Sequence, residues 1–301
     1  MTVRWSCRFC PTPGRSNSIS EAVPDQFGPE FVKVEIVSPS SVDVVLSEPL
    51  LWGIDDLLNI SITPDQAKIH SVLQAFPERD RLHLEFVEDI KPKINYQMVI
   101  SGLQDCNRNV SEIHSTFVLP EKADSADLLI NEVLFNPKQD GVDFVEIVNA
   151  SDKNINLKGW TLGRKKGGTI DGKIIATSDA IVKPDQYLVL TPDIGQLIHI
   201  YPKANEEFLI EMKQFPTLPN ESATIVLMNE NQQLIDEFAY HEDMHFSLLS
   251  SLEGVSLERI SLDIPAYDLN NWQSASESEG FATPGYENSQ AKSIARPSST
   301  I

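Results

Sequence analysis

Short runs in which apolar and polar residues alternate restrict the fold of this chain more than any other feature. In RLHLEFVE (81–88), Leu82, Leu84 and Phe86 fall on one face of a strand, with His83 and Glu85 between them. Nineteen prolines spread through 301 residues disfavour long helices. The sequence therefore predicts an all-β protein of short strands joined by turns. The other runs of this kind are VKVEIVS (32–38), SVDVVLSE (41–48), YQMVIS (96–101), STFVLP (115–120), DLLINEVLFNP (127–137), VDFVEIVN (142–149), YLVLTP (187–192), EFLIEM (207–212), SATIVLMN (222–229), QLIDEFAY (233–240) and GVSLERI (254–260).

The runs form two series, which predict two β-sandwich domains in tandem. The polar stretch PEKADSA (120–126) separates the two series. Both ends of the chain are polar and without periodicity, which predicts disorder there. The predicted organisation is a disordered segment at 1–28, a β-sandwich at 29–120, a linker at 121–126, a second β-sandwich at 127–289 and a disordered tail at 290–301.

The charge of the chain argues against a nucleic-acid partner. The formal net charge is −20, whereas a polyphosphate partner requires basic patches. From Gln214 to Ser289 there are thirteen Asp and Glu residues and one cation, Arg259. This excess predicts a solvated acidic face, and a divalent-cation site is the alternative.

No run of apolar residues approaches the roughly 18–20 that a transmembrane helix needs. The segment MTVRWSCRFC at the start has positive charge but no continuous apolar core, so it does not resemble a signal peptide. We therefore predict that any export signal lies outside this chain.

The three cysteines give little information about metal or redox chemistry. Cys7 and Cys10 form a single C-x-x-C with no second pair, and Cys106 lies far away in the sequence. We predict neither a zinc site nor a disulfide framework from them.

Residues 241–245 match the zinc-peptidase motif H-E-x-x-H. On a helix, His241 and His245 would share a face and bind zinc, and Glu242 would serve as the general base. The run QLIDEFAY leads into the motif with strand periodicity, however, and the third ligand of a zinc site is poorly provided by Glu253 or Glu258. We predict an accidental match outside a helix, and a zinc-dependent hydrolase is kept as an alternative.

Glu132 and Glu146 both lie within apolar strand runs. On neighbouring antiparallel strands, two such carboxylates can approach to the separation that a glycosidase uses. Glu146 shares its strand face with Phe144 and Val148, so it lies on an apolar face. We favour buried structural carboxylates over a catalytic pair.

Two further groups of residues have simple structural interpretations. Asp140 with Asp143, and Asp171 with Asp179, lack the spacing of a calcium loop and are predicted to serve turns. The basic stretch GRKKGGT (163–169) lacks the ending of a phosphate-binding loop and is predicted to be the tip of a hairpin.

Several motifs in order give the second series a family resemblance. LLINEVLFNPKQDGVDFVEIVNASDKNINLKGWTL (128–162) resembles the opening of a lamin tail domain. GVSLERISLDIPAYDLNNWQSASESEGFATPGYENSQ (254–290) resembles the close of the bacterial form, with S-L-E-R, N-W-x-S-A and A-T-P-G-x-x-N. In the first series, SPSSVDVVLSEPL (38–50) and ISGLQDC (100–106) are similar to a bacterial Ig-like domain. The resemblance is lost mainly between Arg164 and Ile181, where the hairpin is longer and more basic.

The resemblance implies an Ig-like β-sandwich for each domain, with no catalytic residues, no metal site and no cofactor. It implies that Glu132 and Glu146 are framework residues, and that the E-D-M-H part of residues 242–245 belongs to the family pattern. It also implies an extracellular or cell-surface location, because the bacterial family occurs in exported multidomain proteins.

These observations predict a non-catalytic binding or spacer module of a bacterial secreted or cell-surface protein. Its partner would be a protein or a cell surface, with no nucleic acid involved. The alternatives are the zinc hydrolase built on His241, Glu242 and His245 and a calcium-stabilised adhesion module. The oligomeric state and the role of Cys7 and Cys10 stay open.

Overall fold

The computed structural model describes residues 25–51, 53, 58–64 and 67–292, and it divides the chain into two compact units, Met1–Leu119 and Pro120–Ile301. The segments predicted to be disordered, and Cys7 with Cys10, lie largely or wholly outside the described residues. Both units consist mainly of antiparallel sheets, which confirms the predicted all-β class with two Ig-like sandwiches. Of the helices described, none has the length and hydropathy needed to cross a bilayer.

The first unit packs a four-stranded sheet and a three-stranded sheet around one core. The sheet orders are β1-β2-β5-β4 and β3-β6-β7. Alternation places Leu82, Leu84 and Phe86 in the core together with Val42 and Val44 of the neighbouring strand. The strands are β1 (Phe31–Ser38), β2 (Ser41–Leu46), β3 (Asn59–Thr63), β4 (Ile69–Gln74), β5 (Arg81–Phe86), β6 (Tyr96–Gln104) and β7 (Val110–Phe117).

The second unit contains a six-stranded, a four-stranded and a two-stranded sheet and one short helix. The sheet orders are β15-β14-β9-β8-β18-β19, β12-β11-β16-β17 and β10-β13. The strands are β8 (Leu128–Leu134), β9 (Phe144–Asn149), β10 (Ile155–Asn156), β11 (Thr161–Lys166), β12 (Thr169–Ile174), β13 (Ile181–Val182), β14 (Tyr187–Thr191), β15 (Leu209–Glu211), β16 (Ser222–Met228), β17 (Leu234–His241), β18 (Leu257–Arg259) and β19 (Trp272–Ser274), and the helix is α1 (Ile194–Ile200).

The six-stranded sheet is covered on both faces. One face packs against the four-stranded sheet through residues such as Ile147, Leu162 and Phe238. The other face carries Leu134 and Phe144, and it packs against a smaller cluster formed by Leu197 and Tyr201 near α1 and by Ala282. Consequently every residue of β8 and β9 is buried, and side chains on both faces lose contact with water.

Arg259, the single cation between residues 214 and 289, is buried rather than exposed to the acidic surface. Its guanidinium lies 3.3 Å from the Asp236 carboxylate on β17 and donates to the carbonyl oxygen of Ile130 on β8. This ion pair therefore joins the four-stranded sheet to the six-stranded sheet. Burial, the largest effect, lowers the pKa of Arg259, and the charge of Asp236 opposes that shift.

Cys106 is disulfide-bonded, a bond that the odd number of cysteines and the predicted lack of a disulfide framework did not indicate. The other two cysteines, Cys7 and Cys10, lie outside the described residues. Spacing alone did not indicate the bond, because residues far apart in sequence are brought together only by the fold.

Candidate functional site: a buried row of glutamates

Strand register places three glutamates side by side in the six-stranded sheet. Glu132 on β8 lies opposite Glu146 on β9 and, on its other side, opposite Glu258 on β18. All three side chains are 0% exposed. We call Glu132, Glu146 and Glu258 the glutamate row. They lie on the sheet face that points away from the sandwich core, because the residues beside them, Val133 and Ile147, belong to that core.

Residues 281–290, which we call the closing segment, cover the glutamate row. Each glutamate accepts one backbone N–H from this segment: Thr283 donates to Glu132 at 2.9 Å and Gly285 to Glu146 at 2.7 Å. Gln290 donates to Glu258 at 2.9 Å. Carboxylates thus hold the main chain of the closing segment at three points, in addition to backbone bonds from Ser256 to Phe281 and from Asn205 to Pro284.

Side-chain donors occupy the remaining carboxylate oxygens. Ser256 donates to Glu132 and Ser289 to Glu258. Asn131 donates to Oε1 of Glu146 at 2.8 Å and to Oδ1 of Asn288 at 2.7 Å. Asn288 in turn donates to the carbonyl oxygens of Asn131 and Arg259. With the two contacts of Thr283 described next, every oxygen of the row has a hydrogen-bond partner within the protein, as buried carboxyl groups require.

The hydroxyl of Thr283 lies between two members of the row. Its Oγ1 is 3.1 Å from Oε2 of Glu132 and 2.8 Å from Oε1 of Glu258. A hydroxyl has a single proton to donate, so only one of these contacts can be donated by Thr283. The other requires a proton on a carboxyl group, and the geometry fits a row in which Glu132 or Glu258 is a neutral acid.

The raised pKa values of the three glutamates also indicate that the row holds a proton. Burial raises the pKa of Glu132 to about 8, and the neighbouring charge of Glu258 adds to the rise. Burial, followed by the charge of Glu132, raises the pKa of Glu146 well above its usual value. Burial also raises the pKa of Glu258. Adjacent carboxylates in a low-dielectric site cannot all ionise, and the row therefore holds at least one proton at neutral pH.

The row lacks the access that hydrolysis of a substrate would need. Its oxygens are engaged by the protein, and all three side chains are sealed from solvent. A cleft of about 230 Å³ lies next to Asn131 and Asn288 and is bordered by Arg259, Asp263 and Lys292, but none of the three glutamates lines it. The arrangement can hold protons and bind a peptide segment, and the prediction that Glu132 and Glu146 are buried is confirmed.

The H-E-x-x-H segment does not form a helix that would bring its two histidines together. His241 ends β17, and its Nδ1 accepts the N–H of Asp243 at the start of a single 3₁₀ turn, Glu242–Met244. His245 is 6% exposed, lies 2.9 Å from the hydroxyl of Ser274 and packs on the ring of Phe135. Throughout the described ranges, neither histidine belongs to a set of three ligand-type side chains close enough to share a metal ion.

One acidic group in the first unit has the separation that a shared cation would need. Ligand atoms of Asp25, Glu48 and Asp105 lie within 4.8 Å of one another. The Asp105 carboxylate, however, already accepts the backbone N–H groups of Asn107 and Asn109 and the Asn109 side chain, all at 2.8 Å. These bonds explain Asp105 as the residue that shapes the turn after β6.

The aspartates considered for calcium occupy other places. Asp140 has a φ of 63° in a turn, and Asp143 is partly buried, where desolvation raises its pKa to about 7. Asp171 lies in β12 and pairs with Lys173, whereas Asp179 accepts from the Asn156 side chain. In the part of the chain that the structure describes, none of them joins a three-ligand set.

Sequence reasoning missed Glu258 as the third member of the row. It considered Glu258 only as a distant zinc ligand, although its strand position was correct. A partial signal was present in the closing segment, FATPGYENSQ (281–290), where most residues are small or polar and no strand periodicity appears. Register was needed to show that these residues face three glutamates.

Comparisons with known proteins agree with the motif analysis for the second unit. Residues 121–242 match the family model described as Lamin Tail Domain, which confirms the predicted resemblance. A comparison with curated proteins finds no match.

Among solved structures, three bacterial proteins show weak similarity to this chain. The N-terminal part of the bacterial S-layer protein SbsC is 15% identical, with a TM-score of 0.28 and coverage of 54% of this chain and 40% of that one. A DUF4876 family protein from Bacteroides thetaiotaomicron is 12% identical, with a TM-score of 0.31 and coverage of 62% and 78%. Native alpha-2-macroglobulin from Escherichia coli, domains MG0-NIE-MG1, is 10% identical, with a TM-score of 0.26 and coverage of 77% and 90%. At these TM-scores the similarities support no assignment of function.

Proposed function

Because the second unit carries a lamin tail domain, we propose that the chain is a non-catalytic structural module of an exported or cell-surface protein. The observation that carries this proposal is the state of the glutamate row. Glu132, Glu146 and Glu258, whose carboxyl groups would be candidates for catalysis, are buried from solvent. Each of them accepts a backbone N–H from the closing segment. Such a site stabilises the fold, and the solvent-exposed surfaces of the two units are left for a protein or cell-surface partner.

The disulfide at Cys106 supports the location. Disulfides persist in oxidising compartments and are rare in the reducing cytosol. Treating intact cells of the source organism with protease tests this part of the proposal. Loss of the chain is expected, whereas full protection together with free thiols in the purified protein would contradict it.

Carboxyl footprinting tests the structural role of the row. The folded chain is treated with a water-soluble carbodiimide and an amine, and modified glutamates are identified by mass spectrometry. Exposed Glu287 is expected to react and to serve as the internal control, whereas Glu132, Glu146 and Glu258 are expected to stay unmodified. Reaction of Glu132 in folded protein at the rate of Glu287 would show that the row is accessible and would overturn the proposal.

The zinc alternative has a separate test. His241 is exposed, so His241→Ala removes one ligand of the H-E-x-x-H motif without disturbing a packed side chain. The purified chain is expected to contain no stoichiometric zinc by elemental analysis. Zinc at one equivalent that is lost in His241→Ala would favour the hydrolase and contradict the structural module.

A further inference from the structure

The strand β12 is an open edge of the four-stranded sheet. Within residues 25–292, as far as the structure describes them, the sheet order β12-β11-β16-β17 leaves β12 paired with β11 alone. A two-residue turn joins the two strands, and both of its residues, Gly167 and Gly168, have positive φ, at 56° and 83°. Such a turn, the type preferred in hairpins, fixes the register so that Lys166 lies opposite Thr169.

The side chains of β12 form an apolar row on the outer face of the sheet and a charged row on its inner face. Ile170 and Ile174 are 43% and 50% exposed and lie on one face of the strand with Gly172 between them. Asp171 and Lys173 lie on the opposite face, 2.8 Å apart at their charged groups, and Lys173 lies across from the core residue Leu162 of β11. They are therefore inward-pointing charges, which in natural proteins keep an open edge from pairing with unlike strands. Because the two charges have opposite signs, a strand that offers them in the reverse order can pair with both.

The hairpin geometry also determines which backbone groups of β12 point outward. The residues that close a two-residue turn form a hydrogen-bonded pair, and hydrogen-bonded and non-hydrogen-bonded pairs then alternate along the ladder. Counting from Thr169, the backbone groups of Ile170, Gly172 and Ile174 point away from β11. These three residues therefore present donors and acceptors to a further strand.

We propose that β12 pairs with β12 of a second copy of this chain, antiparallel and around a two-fold axis at Gly172. In this register Ile170 of each copy lies opposite Ile174 of the other, and Asp171 of each lies opposite Lys173 of the other. The sequence TIDGKI (169–174) is thus complementary to itself in both its apolar and its charged pairs. A closed two-fold interface of this kind gives dimers and does not extend into fibres.

Other two-fold registers are less favourable on the same grounds. An axis at Asp171 sets that carboxylate opposite its own copy, and an axis at Lys173 does the same with two ammonium groups. The register at Gly172 avoids both and uses all three outward-facing residues, which gives about six backbone hydrogen bonds. The two four-stranded sheets would then form one continuous sheet across the dimer.

Reversal of charge tests the register directly. Lys173→Asp places two carboxylates opposite each other at both symmetric positions, whereas the double change Asp171→Lys with Lys173→Asp restores opposite charges. The matched control is Lys183→Asp, which makes the same charge change at an exposed residue outside β12. Sedimentation equilibrium on the full chain measures the dimer dissociation constant, and thermal melting checks that each variant is folded.

The wild-type chain is expected to form dimers, and Lys173→Asp is expected to weaken them about tenfold or more. The double variant is expected to recover most of the affinity, and Lys183→Asp to keep it unchanged. A chain that stays monomeric at about 0.5 mM overturns the proposal, as do species larger than the dimer. A dimer that Lys173→Asp leaves intact, or that the double variant does not restore, also overturns it.

Discussion

Glu132 shows how a buried carboxyl group can hold a segment of the chain through hydrogen bonds. Its two oxygens meet the N–H and the hydroxyl of Thr283 and the hydroxyl of Ser256, and Glu258 lies in the next strand. A glutamine has the same shape as the protonated acid. Its amide oxygen can accept the N–H of Thr283, while its NH₂ donates to the Thr283 hydroxyl, which is then free to donate to Glu258.

Glu132→Gln is therefore expected to reduce the loss of stability at alkaline pH. The folded pKa of Glu132, about 8, exceeds the usual value of 4.5, so its contribution is fully present below about pH 4.5 and is lost as pH rises toward 8. Urea unfolding from pH 5 to 9 should show wild type losing about 1–3 kcal/mol more than the variant. Glu287→Gln, an exposed change in the closing segment, is the control. Parallel losses in wild type and Glu132→Gln would contradict a neutral Glu132.

His245 is expected to act in the opposite direction, through acid sensitivity. It is buried, its Nε2 has no hydrogen-bond partner among the residues that the structure describes, and desolvation lowers its pKa to about 4. The unfolded chain takes up a proton near pH 6.5 and the folded chain does not, so stability falls as pH drops from about 6.5 to 4. His245→Asn keeps a polar group near Ser274 but does not titrate. Over this pH range, wild type should lose about 2–3 kcal/mol relative to the variant in urea unfolding.

His241→Asn is the control for that experiment, because His241 is exposed on the same segment. It should follow wild type across the whole pH range. If His245→Asn follows wild type as well, the buried imidazole does not determine the acid response.

At the scale of elements, the closing segment is bound in place without joining a sheet. Asn288 is its most connected side chain, since Nδ2 donates to the carbonyl oxygens of Asn131 and Arg259 at 3.1 and 2.8 Å, and Oδ1 accepts from Asn131. Asn288→Ala leaves buried polar groups on β8 and β18 without partners. We expect it to lower the free energy of unfolding of the second unit by about 2–4 kcal/mol, measured by urea titration.

The neighbouring residue supplies the control for Asn288. Glu287 is exposed, so Glu287→Ala changes the same segment without removing a buried hydrogen bond, and it should alter stability by less than about 0.5 kcal/mol. Equal effects of the two substitutions would mean that the closing segment is held by its backbone alone.

Strands with clear alternation were predictable from sequence, and short elements that depend on tertiary contacts were not. The runs at 81–88 and 222–229 correspond to β5 and β16 within two residues. The two-residue strands β10 and β13 have no periodicity to detect, because only their mutual pairing defines them. The helix α1 was missed although Asp193 caps it, since seven residues are too few to show a helical period against a background of strands.

The glutamate row was predictable only in part for the same reason. The apolar neighbours of Glu146 indicated burial, which a single strand can show. That three glutamates lie side by side depends on the pairing of β8 with both β9 and β18, and Glu258 is more than a hundred residues from its neighbours in sequence. The pattern of apolar and polar residues along a strand does not show how that strand aligns with a partner that is distant in sequence.

At the scale of the whole molecule, each unit has a hydrophobic core of its own. The first unit contains the disulfide-bonded Cys106, and the second contains the glutamate row. The sequence of the second unit contains no cysteine. A reducing agent is therefore expected to lower the stability of the first unit by about 2–4 kcal/mol and to leave the second unchanged. Calorimetry of the full chain, with a fragment of residues 120–301 to identify the second transition, measures both. A shift in the transition of the fragment on reduction would contradict this assignment.

The position of the glutamate row determines how the second unit would bear mechanical tension. The first strand of that unit, β8, contacts the closing segment directly through Glu132 with Thr283 and through Asn131 with Asn288. Tension applied between β8 and the closing segment would be carried by these bonds together with the pairing of β8 with β9 and β18. The share of the resistance that comes from the glutamate row would vary with the protons held there.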